Sequence, residues 1–169
     1  GIDVYEANHQ ISLPFNTDTT APSIVVGRIG TGNLVGTSAT DTITFTLSEA
    51  ATDFSLADVY WSIGTLANLV PVASSGNAST GYTQYTATFT PTSGVLGTAT
   101  IGVLSGKFTD AASNLNQDTY LSPAPTGAVT ELATSNTNQV SVAYDTRSTN
   151  ATDNDKPTVQ VSIDKATLA

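Results

Sequence analysis

The chain has 169 residues, enough for one full hydrophobic core with short flanking segments, and its 14 acidic against 5 basic residues give a net charge of −9. That excess of negative charge argues against nucleic acid and anionic membrane surfaces as partners. The absence of Cys excludes disulfides, thiolate metal sites and thiol catalysis. Thr, Ser, Val, Ala, Gly and Asn dominate and charged residues make up only 11%, so strands and turns are predicted over helices. No apolar run approaches the roughly 20 residues of a membrane helix and no signal peptide opens the sequence, which reads as a segment of a longer chain.

Residues 1–17 contain the single His, His9, expected as a surface bystander, and end in the alternation of Ile11, Leu13 and Phe15, the pattern of a strand finishing a preceding unit. Asp18-Thr19-Thr20-Ala21-Pro22 then forms a junction, followed by a short strand over 23–27 and a turn marked as flexible by Gly27, Gly30, Gly32 and Gly36. In Thr42-Ile43-Thr44-Phe45-Thr46-Leu47 the apolar residues fall on every second position, so one face is buried and a row of Thr faces water. After Ser48-Glu49-Ala50-Ala51 and Phe54 to Asp58, a strand carries Val59, Trp61 and Ile63, with Trp61 expected at the centre of the core. Further strands are predicted at 69–72, 85–89 and 99–103, and a last one at 139–144 after a long polar region holding Asp110, Asn114, Asp118 and the Pro123-Ala124-Pro125 break. The chain then passes Asp145 into a second junction, Asp153-Asn154-Asp155-Lys156-Pro157, and a new alternating start, Thr158-Val159-Gln160-Val161. Pro157 minus Pro22 is an offset of 135 residues, which divides the chain into 1–17 (end of a preceding repeat), 18–152 (one whole domain) and 153–169 (linker and first strand of a following repeat).

Seven short strands without helical periodicity predict an all-β, immunoglobulin-like sandwich of antiparallel strands. The order of four motifs, Thr44 to Ala50, Phe54 to Val59, Tyr85 to Pro91 and Phe108 to Asn114, resembles the bacterial immunoglobulin-like repeats that build the extender regions of large repeats-in-toxin biofilm adhesins. The resemblance spans roughly residues 18–118. Such repeats usually have Gly where this chain has Ser113, and a shorter run before the last strand than the insertion at about 119–138. The junction at Asp153 to Pro157 also looks like the calcium-binding linkers of cadherins. The resemblance implies a secreted, cell-surface module that binds calcium and serves in attachment, with neighbouring repeats of the same chain as its partners.

Alternating strand direction assigns each carboxylate to one end of such a sandwich. Asp18, Glu49, Asp58, Asp110 and Asn114 are expected at the end where the chain enters, and Asp145, Asp153 and Asp155 at the opposite end. Clustered carboxylates raise one another's pKa unless a cation neutralises them, and Ca2+, which takes 6 to 8 oxygen ligands in flexible geometry, suits this set better than Mg2+ or Zn2+. Asp and Asn also gather in turns because they mimic backbone hydrogen bonds, and that reading stays open. So does a glycan- or peptide-binding module using the 119–138 insertion with Tyr120 and Glu131. An enzyme is not expected: with its one His in a tail and no Cys, the chain lacks the parts of a nucleophilic triad.

Overall fold

The alternation at 42–47 becomes the spine of one sheet. In β3 (Asp41–Ala51), Ile43, Phe45 and Leu47 are buried while Thr46 and Ser48 face solvent. The computed structural model describes residues 17–118 and 137–147. Within them the other strands are β1 (Ile24–Arg28), β2 (Leu34–Val35), β4 (Val59–Trp61), β5 (Thr65–Pro71), β6 (Gly76–Asn77), β7 (Gly81–Thr90), β8 (Leu96–Val103) and β9 (Gln139–Asp145). They form two sheets, β1-β3-β7-β5 with β6 added beside β7, and β2-β9-β8-β4. Neighbours are antiparallel except β2 and β9, which run parallel. Single 3-10 turns at Leu56–Asp58 and Ala73–Ser75 are the helical content of the described residues. This is the expected all-β immunoglobulin-like sandwich.

The core lies between the sheets. Ile43, Phe45 and Leu47 of β3 and Tyr85, Ala87 and Phe89 of β7 face Ala99, Ile101 and Val103 of β8 and Val142 and Tyr144 of β9. Complete burial of rings such as Phe45, Phe89 and Phe108 contributes on the order of 1.5–3 kcal/mol each. Trp61 does not centre this core as its size suggested. It is only partly buried, because β4 is a three-residue strand at the edge of its sheet, with β8 as its one partner strand among the described residues. Phe54, from the loop between β3 and β4, takes that place, with its ring 5.6 Å from Phe45, 5.0 Å from Tyr85 and 5.4 Å from Phe108. Ile63, expected on the same strand as Trp61, is 39% exposed and lies past the end of β4, beside the turn at Gly64 (φ +84°).

Chain direction defines two ends. Residues 18–23 come in beside the loop that follows β8, at the entry end, where Gln117 N–H donates to Pro22 O over 2.9 Å. The chain leaves past Asp145 at the exit end, where Thr146 is almost completely buried. Its N–H and hydroxyl donate to Val95 O (2.9 and 3.1 Å), and the hydroxyl also reaches Thr92 O (2.6 Å). The glycine-rich segment between β1 and β3, expected as a flexible turn, is instead pinned by Asp41. This buried carboxylate pairs with Arg28 and accepts the N–H of Gly30 (3.0 Å) and of Thr42 (2.8 Å). A Cβ on residue 30 would sit 2.7 Å from the Asp41 carboxylate, so only Gly fits there.

Candidate metal centre

The centre is built on the loop from Leu104 to Asp118, which carries the chain from β8 back along the entry segment. Asn116 holds that loop from inside. Almost completely buried, it accepts the N–H of Lys107 and Phe108 on Oδ1 (2.6 and 3.2 Å) and donates from Nδ2 to Leu104 O (3.0 Å) and Asp118 Oδ2 (2.6 Å). Asp53 anchors the loop's outer limb, its two carboxylate oxygens taking the Thr109 N–H and hydroxyl. At the tip, Asp110 closes a tight turn. Its Oδ1 accepts the N–H of Ala112 (2.9 Å) and Asn114 (2.8 Å), and its Oδ2 accepts Asn114 Nδ2 (2.9 Å). Ser113 completes the turn at φ +69°, a left-handed conformation that glycine adopts at least cost, which accounts for the Gly of the related repeats.

The same loop lays the entry segment against the domain. Asn114 Nδ2 donates to Asp18 O (3.2 Å), Ile24 N–H donates to Asp118 Oδ1 (2.9 Å), and Ser23 and Ser48 exchange backbone and side-chain hydrogen bonds. Asp18 is thereby set beside Asp110, and β3 brings Glu49, one residue past Ser48, to the same place. Carboxylate oxygens of Asp18, Glu49 and Asp110 all lie within 4.8 Å of one another.

The electrostatics are unbalanced. Desolvation, then the negative charges of Asp18 and Asp110, push the Glu49 carboxyl above its ordinary value. Asp110 is shifted the other way, chiefly by the Asn114 side-chain hydrogen bond, with the backbone N–H donors of its turn outweighing the opposing effect of desolvation. An ionised carboxylate offers about four lone-pair positions. Three of those on Asp110 are filled by its own turn, leaving room for one more partner, while Asp18 accepts the Thr20 N–H on Oδ1. Arg28 and Arg147 are engaged with Asp41 and Asp145 at the exit end. Three hard oxygen donors from separate segments, with a residual like-charge repulsion, fit a hard divalent cation and do not fit zinc, whose usual His and Cys ligands are missing.

Of the eight expected ligands, the carboxylates of Asp18, Glu49 and Asp110 come together and Asn114 lies against them, while Asp58 and Asp145 are engaged elsewhere. Asp58 is not among the clustered carboxylates and instead caps the 3-10 turn, its Oδ2 taking the N–H and hydroxyl of Ser55 at 2.8 Å each. Asn114 is at the centre, where its Nδ2 donates to Asp18 O and Asp110 Oδ2 and ties the two together, and its Oδ1 is the atom by which an Asn ligates a cation. Asp145 is at the exit end as expected, where Arg147 neutralises it and holds its carboxyl down at about 2. Asp153 and Asp155 lie outside the described residues, as do Tyr120, Glu131 and nearly all of the 119–138 insertion. Sequence reasoning missed the positioning roles of Asn116, Asp118 and Asp53. Asx residues spaced along a polar loop are the signal, but which groups they hold depends on chain segments up to 94 residues away.

The sequence model of the bacterial Ig-like domain matches residues 18–142. The chain belongs to this family. Bacterial Ig-like domains are usually extracellular and typically non-catalytic. Among the described residues of this Ig-like domain, no helix is long and apolar enough to cross a membrane. Neither the curated proteins nor the solved structures contain a match to the chain.

Proposed function

We propose that this Ig-like domain is a calcium-stiffened spacer in a large bacterial surface adhesin, one of a series of repeats that hold binding domains away from the cell for attachment and biofilm formation. The observation that carries the reading is the composition of the carboxylate triad. Asp18 belongs to the segment entering the domain, whereas Glu49 and Asp110 belong to its body, on β3 and on the loop after β8. A divalent cation held by these three residues would neutralise their repulsion and tie the entry segment to the sandwich. Without it, repulsion between Asp18 and the other two carboxylates works against the single Asn114 tether and the Gln117 and Asp118 bonds further along. The angle between one repeat and the next would then depend on calcium, which is abundant outside cells. Partners are accordingly the adjoining repeats of the same chain.

The test is thermal unfolding of the chelated protein titrated with CaCl2 and, separately, MgCl2. Binding to the folded state alone stabilises by RT ln(1 + [L]/Kd), about 2.7 kcal/mol at a hundredfold excess over Kd. The melting temperature is expected to rise with calcium and much less with magnesium. An equal rise with both ions would mean general charge screening and would remove the basis for the proposal.

A further inference from the structure

Charge is unevenly spread along this domain. From Val59 to Gly106 the chain holds no Asp, Glu, Lys, Arg or His, although the whole carries a net charge of −9. That stretch supplies β4 to β8, so these strands meet water through hydroxyls and amides, with no ionised group. It also exposes Ile63, Val70 and Leu96, at 39%, 52% and 55%. A surface with exposed apolar side chains and no charge lacks what usually keeps copies of a protein apart.

Within the same stretch lies Asn77-Ala78-Ser79, the Asn-x-Ser spacing at which glycosyltransferases modify asparagine. β6 lies in line with β5 along one side of β7 and turns back into β7 through Ala78, Ser79 and Thr80, all exposed. The base of this hairpin is fixed. The Ser75 hydroxyl donates to Val72 O (2.7 Å) and accepts the Gln84 N–H (3.1 Å), and the Thr83 hydroxyl donates to Ser75 O (3.1 Å). The tip is ordered by Asn77 itself, whose Oδ1 accepts the N–H of Ser79 (2.9 Å) and of Thr80 (3.0 Å). Asn77 is exposed, and its Nδ2, the other arm of the carboxamide, makes no hydrogen bond among the described residues. The two N–H bonds to Oδ1 draw electron density from the amide nitrogen and make its N–H more acidic, which eases the proton loss that an amide needs in order to attack carbon.

We propose that Asn77 is an N-glycosylation site, taking a sugar from a donor activated as a pyrophosphate ester. Its Nδ2 attacks C1 of the sugar and the Nδ2–C1 bond forms. The C1–O bond to the pyrophosphate breaks, the leaving group departs with the electron pair, and the Nδ2 proton passes to a base on the transferase. The step needs no oxidant or reductant. A sugar here hydrates the uncharged edge that continues into β5, where Val70 is exposed. The site is independent of calcium and of the spacer reading. A second Asn-x-Thr, Asn150-Ala151-Thr152, lies outside the described residues and serves as a comparison from sequence alone.

The test exposes the folded full chain to two donors in separate reactions: UDP-glucose with a soluble asparagine glycosyltransferase, and a lipid-pyrophosphate oligosaccharide with a membrane oligosaccharyltransferase. Peptide mass spectrometry locates the adduct. An adduct on Asn77 is expected, its mass distinguishing a nucleotide-activated from a lipid-activated source. Ser79→Ala is expected to lose it without a change in melting temperature, because residue 79 holds the loop through its backbone N–H. Modification confined to Asn150, modification of Asn77 only after unfolding in urea, or an adduct that survives Ser79→Ala would each overturn the proposal, as would the lack of any adduct on Asn77 with both donors.

Discussion

Replacing Asn116 by Ala tests whether the candidate centre depends on a residue that touches none of its carboxylates. The substitution deletes four hydrogen bonds, to the N–H of Lys107 and Phe108, the carbonyl of Leu104 and the carboxylate of Asp118. The two backbone bonds of residue 116, to Phe108 O and from Gly106 N–H, stay in place. At about 1 kcal/mol for each of the three neutral bonds, and somewhat more for the one to a carboxylate, the expected loss is roughly 4–5 kcal/mol, less where water enters the space left behind. Urea denaturation followed by tryptophan fluorescence and circular dichroism would measure it, with the midpoint falling and the slope unchanged. Calcium affinity should fall as well, because Asp110 rides on the loop that Asn116 holds. A loss below about 1 kcal/mol would refute the account, since it would mean that water satisfies these groups as well as Asn116 does.

Two further outcomes test the electrostatics. Glu49 has a raised pKa, so the folded state holds its proton more tightly than the unfolded state; without calcium, stability should increase as pH falls from neutrality through that raised pKa, the gain being complete below about 4.5, where both states are protonated, and lost again as pH rises through the raised pKa. Glu49→Gln should remove this pH dependence and weaken calcium binding about tenfold by calorimetry; it is a cleaner probe than Asp110→Asn, whose new amide would face the Asn114 Nδ2 donor across 2.9 Å. At the exit end, Asp41→Ala should cost about 3 kcal/mol in chemical denaturation, because it leaves Arg28, with a side chain only 14% exposed, without its partner.

Much of the fold was legible in the order of residues. Period-two alternation at Ile43, Phe45 and Leu47, and again at Tyr85, Ala87 and Phe89, requires one buried and one wet face whatever the strands pair with. Strand direction then follows from chain reversal, which is enough to place Asp18, Glu49 and Asp110 at one end and Asp145 at the other. What the sequence could not show is what each side chain meets on arrival. Trp61 has the size of a core residue, but β4 lies at a sheet edge, and edge position is a property of strand order. Asp58 and Asp110 both reach the entry end as carboxylates next to turns. Asp58 is consumed by Ser55, three residues away, while Asp110 keeps one lone pair facing two carboxylates from distant parts of the chain. Local chemistry is written in neighbouring residues, so the sequence alone determined the strands and the ends of the sandwich. Whether a carboxylate there is capped, paired or left facing its own kind was decided by contacts between segments tens of residues apart, which only the packed tertiary structure brings within a few ångströms.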